Sequence, residues 1–254
     1  MAMKYMDLIL QPFLLSLVAG AATGIGGIVV LLLRKGISDR VVGFSMGLAS
    51  GVMLLVSFNN LFLEATKILT HFDLIVMFSV GALIIMVLDL TLPHIELTTK
   101  DVGGNSRMLR TGLLIAAGIT LHNFPEGLVV TTGYMYNSRL GLVIAIAIML
   151  HNIPEGVATA IPLSLTGMKK TKIAALTFLS GLAEPVAALL AGLFFVSVGT
   201  RLIGSSLALA AGVMTYITAD ELIPVAHEYG HKHIVSVGLL LGIIFALLVD
   251  VILS

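Results

Sequence analysis

A chain of 254 residues with 58% hydrophobic and 11% charged side chains is too apolar for a soluble domain, which is about half apolar and about a quarter charged. Its formal net charge of zero leaves no case for nucleic acid or for an acidic partner. The absence of cysteine excludes a disulfide framework and a thiolate zinc cage.

The composition fits lipid, and predicts an all-α integral membrane protein with a single domain over residues 1–254. A spanning helix takes about 20 mostly apolar residues, and eight stretches qualify. The first, Asp7–Leu33, begins like a leader peptide but runs past leader length, and reads as a span. Val41–Ile68, Leu74–Leu92, Met108–Tyr136, Leu140–Leu165, Ile173–Val198, Leu202–His227 and Ile234–Leu253 follow. Charges and turn residues fill the breaks: RKGISDR, THFD, HIELTTKDVGGNSR, NSR, TGMKKTK, GTR and HEYGHKH.

An even number of spans puts both termini on one side. Arg34, Lys35, Arg40, Lys100, Arg107, Arg110, Lys169, Lys170, Lys172 and Lys232 fall on one face, and only Lys4, Lys67, Arg139 and Arg201 on the other. The positive-inside rule makes the first face cytoplasmic, so both termini are expected outside the cytoplasm in a cell (plasma or inner) membrane. The connection from the third span to the fourth is then the largest cytoplasmic loop.

The fourth and fifth spans each hold the same segment, LHNFPEG at 121–127 and LHNIPEG at 150–156. An ionisable group at the bilayer centre costs about 3 kcal/mol on insertion scales, so His and Glu repeated in register need each other or a cation. His122 and Glu126 are four apart and share a helix face, as do His151 and Glu155. Asn123 and Asn152 lie one residue on, about 100° round the helix, within reach of a neighbouring position. Imidazole with carboxylate suits zinc and its first-row neighbours. Glu126 and Glu155, on facing antiparallel helices, leave room for two ions that share them. Pro125 and Pro154 remove the N–H groups that would bond the carbonyls of Leu121 and Leu150, and are expected to break or kink both helices, as in transporter substrate sites.

Glu184, followed by Pro185 in the sixth span, repeats the theme and adds a third carboxylate. Met53 offers a thioether inside the second span, where packing is the commoner role for Met. Asp89, His94, His227, Glu228, His231 and His233 close spans on the inner side, where they either receive departing ions or form a solvated surface. Asp250, Asn59, Asn60 and Glu64 gather near outer ends, as candidates for an entrance. Stretches such as AGAATGIGG and GFSMGLASG allow close helix packing.

The paired HN[FI]PEG segments, the AEP segment, the span count, the outward termini and the cytoplasmic loop resemble the ZIP (Zrt-, Irt-like protein) metal transporters, prokaryotic branch, over nearly the whole chain. The resemblance implies uptake of Zn2+, and of Fe2+, Mn2+ or Cd2+, toward the cytoplasm, with no prosthetic group. It implies a 3+2+3 arrangement, with inverted three-helix repeats flanking the two motif helices, and a homodimer. Its binuclear site implies His122, Asn123, Glu126, His151, Asn152, Glu155 and Glu184 as ligands, with Met53 added in some members and Asp89, His227 and Glu228 along an exit. The family's His-rich loop is nearly absent, since only His94 stands between the third and fourth spans.

No phosphate-cradling GxxxxGK[ST] loop is present, so transport without ATP hydrolysis is expected, weakening as pH falls because ligands must lose protons to bind. An intramembrane metallohydrolase fits poorly: it typically carries HExxH on one helix, and here the order is HNxPE. A channel or a metal sensor built on the same residues is separable only by measured flux.

Overall fold

The computed structural model describes residues 2–32, 38–91, 120, 123–165, 167–195 and 199–252, and among them every regular element is helical. We number the helices α1 (Ala2–Leu32), α2 (Asp39–Thr66), α3 (His71–Thr91), α4 (described over 123–136), α5 (Ser138–Leu165), α6 (Lys170–Phe194), α7 (Thr200–Tyr229) and α8 (Lys232–Ile252). Seven of them, α4 aside because it is described only in part, are long and apolar enough to cross a membrane. The long connection from α3 to α4, with His94, lies outside the described residues, as do the first part of the fourth span and His122.

Span ends fall within a few residues of expectation, because charges and turn formers mark where lipid stops. Between α4 and α5 the linker is one residue, Asn137. Its side-chain Oδ1 accepts the Arg139 N–H at 2.9 Å, and its N–H reaches back to the Gly133 carbonyl at 2.9 Å. One residue thus ends one helix and caps the next. Between α5 and α6, Gly167 adopts φ +77°, a conformation that glycine alone enters without strain.

Two departures from expectation concern proline and helix type. Pro154 does not break its helix, since α5 runs on through it, while Leu121 and His122, in the turn before Pro125, lie outside the described set. Packing holds α5 there: Gly26 of α1 lies against the Ile153 carbonyl, and Gly156 against the Thr23 carbonyl. The interruption comes instead in α6, where Leu182 separates two helical stretches and the Val186 N–H to Leu182 carbonyl bond is stretched to 3.4 Å. Pro185 deprives the Gly181 carbonyl of its partner, and that oxygen lies against Gly20 of α1. The second departure is a π-helical stretch in α2 at Val56–Phe62 and another in α7 at Thr218–Leu222. Such stretches often mark functional regions.

The helices pack in two groups. α1 runs along α5 and α6, and α4 is bonded to α5 and α6; α8 runs along α2, and α3 along α7. The groups meet chiefly where α2 lies on α5. There an apolar crevice is lined by Val52 and Val56 of α2, Ala147 and Leu150 of α5, and Ala246 of α8. Within the second group, glycine faces backbone in both pairs. Gly51 meets the Leu239 carbonyl and Gly242 the Leu48 carbonyl; Gly212 meets the Phe78 carbonyl and Gly81 the Leu209 carbonyl. These pairs match at an offset of 161 positions (212 minus 51, 242 minus 81), the same that separates Gly20 from Gly181 (181 minus 20), whose backbones touch each other.

Candidate metal centre

The hairpin at Asn137 sets α4 and α5 side by side, and their motif residues meet in the interior. Glu126 of α4 and His151 of α5 are fully buried, and Glu155 nearly so. His151 Nε2 lies 2.7 Å from Glu126 Oε1 and 3.8 Å from Glu155 Oε1. One ligand atom from each of the three falls within 4.8 Å of the others.

The tautomer follows from the other face of the ring. His151 Nδ1 sits 3.2 Å from the Ala147 carbonyl oxygen, which can only accept, so Nδ1 carries the hydrogen. On the other side of the ring Nε2 shares a 2.7 Å hydrogen bond with Glu126 Oε1, so one proton is held between imidazole and carboxylate. An imidazole nitrogen and two carboxylates converging in a low-dielectric interior make a set able to hold a metal ion, with that proton displaced on binding.

A second cluster adjoins the first. Asn152 donates through Nδ2 to Glu184 Oε1 and, at 2.9 Å, to the Ala19 carbonyl of α1. Asn123 donates through Nδ2 to the Ser180 carbonyl at 3.2 Å. Both amides thus spend their nitrogens tying helices together, while Asn123 Oδ1 and Asn152 Oδ1 are buried without a hydrogen bond. The fully buried Glu184 brings a carboxylate to this all-oxygen set. One turn on, Gly127 of α4 lies against the Glu184 carbonyl, and Thr131 Oγ1 donates to the Ala188 carbonyl at 3.1 Å. α4 therefore grips α6 on successive turns.

The other candidates lie apart from these clusters or outside them. Met53 is fully buried on α2, the helix of the second group that packs on α5. Asp89 is on α3, and its side chain is outside the described set. His227 and Glu228 are exposed at the C-terminal end of α7. Asp250 of α8 accepts from Asn59 and Asn60 of the α2 π stretch, both at 3.1 Å, and Asn60 Oδ1 is left without a bond. The pairing of Asn152 with Glu184 brings together two residues of the ligand set that the resemblance implied.

Comparison with known proteins places this geometry. A profile of the ZIP zinc transporter family matches residues 94–250. The chain belongs to the ZIP family. Zinc transporter ZupT of Chlorobaculum parvum is 39% identical, over 94% of this chain and 96% of its own. ZupT of Akkermansia muciniphila is 37% identical, over 96% and 97%, and ZupT of Streptococcus mutans is 34% identical, over 91% and 93%. As a ZIP protein the chain is a multi-pass membrane transporter rather than an enzyme, embedded in lipid, with a metal ion as substrate and no prosthetic group.

Proposed function

We propose that this ZIP protein takes up divalent transition-metal ions into the cytoplasm, zinc foremost and iron, manganese and cadmium with it, through a binuclear site in the middle of the bilayer. One observation carries the reading: His151, Glu126 and Glu155 converge in the interior, one ligand atom of each within 4.8 Å of the others. Nitrogen with carboxylate oxygen is the donor set of zinc and its neighbours. Glu184, Asn152 Oδ1 and Asn123 Oδ1 supply a second, all-oxygen position, with His122 and Met53 completing the ligand set.

Residues 1–254 form one transporter domain, both termini face outward, and two chains assemble as a dimer. The 3+2+3 arrangement, with α1–α3 repeated in inverted sense by α6–α8 around α4 and α5, is supported by the glycine contacts that recur at a constant offset. The ion enters stripped of part of its water and is released inward past Asp89, His227 and Glu228 as the motif-bearing group shifts against the other. An apolar seam between the groups suits such a shift.

The test is radioactive zinc uptake into proteoliposomes. Glu126→Ala and His151→Ala should each cut uptake by about a hundredfold, the scale of losing a contact to a buried charge. Wild-type rates in both variants would mean the route lies elsewhere.

A further inference from the structure

A hydroxyl inside a membrane helix has a default partner, the carbonyl one turn earlier in its own helix. Nearly every buried serine and threonine among the described residues takes it: Ser50 donates to Met46 at 2.8 Å, Thr159 to Glu155 at 3.0 Å and Thr218 to Met214 at 2.7 Å, and Ser57, Thr131, Thr132, Thr177 and Ser180 do likewise. Ser16 and Thr23 do not. Both are fully buried on α1, and neither hydroxyl has a hydrogen-bond partner. A buried hydroxyl left unbonded opposes folding, so the departure asks what else the oxygens serve.

Their position answers this. Seven residues apart (23 minus 16), they lie two turns from each other on one face of α1, about 10 Å along its axis. Between them on that face are Ala19, whose carbonyl receives Asn152, and Gly20, where an added Cβ would lie 3.5 Å from Glu184 Oε1. A Cβ added to Gly181 would lie 3.2 Å from Thr23 Oγ1. The two hydroxyls therefore bracket, along the axis of α1, the point where Asn152 meets Glu184.

We infer that α1 lines the ion's route, with Ser16 and Thr23 acting as oxygen ligands for a partly dehydrated divalent cation on either side of Glu184. This rests on the transport reading above. A hydroxyl suits the task because it is neutral: it replaces a lost water without adding charge that would hold the ion back. Freedom from the helix's own carbonyls leaves the hydroxyl hydrogen free to turn toward a carboxylate as the oxygen meets the ion.

The chain contains no cysteine, so Ser16→Cys and Thr23→Cys each introduce its only thiol. In proteoliposomes of the full chain, a charged methanethiosulfonate reagent should modify both, and zinc at ten times its Kd should slow modification by about tenfold, the occupancy ratio. Val18→Cys, on the outward face of α1 at 60% exposure, is the lipid-facing control and should stay inert. Thiols at 16 and 23 as inert as that at 18, or indifferent to zinc, would overturn the proposal. Thr23→Val should lower zinc uptake by about tenfold or more, and Thr23→Ser should restore it. Equal losses in both would assign Thr23 to packing and overturn the ligand role. Zinc uptake by the unsubstituted protein in the same vesicles separates the readings: uptake with unreactive thiols removes only the α1 route, and no uptake removes the transport reading itself.

Discussion

The two helix groups have opposite interiors. Every buried ionisable side chain among the described residues, Glu126, His151, Glu155 and Glu184, belongs to α4, α5 and α6. Among their described side chains α2, α3, α7 and α8 bury none; they approach through glycine laid on backbone carbonyl, as Gly51 does on Leu239. The first group gathers imidazole and carboxylates in its interior, so its energy depends on the charge placed among them. The second is complete without cargo. A carrier needs both: one part whose stability changes with the ion, and one against which that change becomes displacement.

The comparison breaks most readily at the acidic cluster. Glu155→Ala should reduce zinc uptake by about a hundredfold while leaving the metal-free melting temperature unchanged or higher, since removing one of several crowded buried charges relieves repulsion. Zinc should raise the wild-type melting temperature by mass action and fail to do so in the variant. A variant that unfolds without metal would show that the carboxylate holds the group together. In the other group, Gly51→Leu should lower stability by about 3 kcal/mol or more, whether or not zinc is present, because the new side chain meets backbone that cannot rotate away. Denaturant titration in detergent reads this, and a wild-type midpoint would mean that α2 and α8 yield there. Smallest of all, Arg201→Ala removes the exposed 2.9 Å pair with Asp73, which ties α7 to α3; the change should stay under about 1 kcal/mol, and a larger loss would make that tie part of the frame.

Much of this was legible in the residue string. Apolar runs of spanning length located the helices, because lipid demands an uninterrupted apolar length and little else. The twin HNxPEG segments led to His151, Glu126 and Glu155, because histidine and glutamate inside a span are costly enough to be conspicuous. The prolines were only a partial guide: a missing N–H weakens a helix, but α5 continues through Pro154 against the close backbone of α1, while the interruption falls at Leu182, where α6 lies against Gly20. The π stretches of α2 and α7 carry no residue signature. Nor does the string reveal which hydroxyls forgo their own helix, since Ser16 and Thr23 read like any small polar residue in a stripe built for packing.

The one-residue link at Asn137 constrains how an ion can cross. A connection that short has no slack, so α4 and α5 cannot slide past each other, and the separations among Glu126, His151 and Glu155 persist while the pair moves. On the transport reading proposed above, the ion would keep the same ligands during the passage and change only the side from which water reaches it. Inserting a few flexible residues after Asn137 would uncouple the two helices and turn one moving cradle into two half-sites.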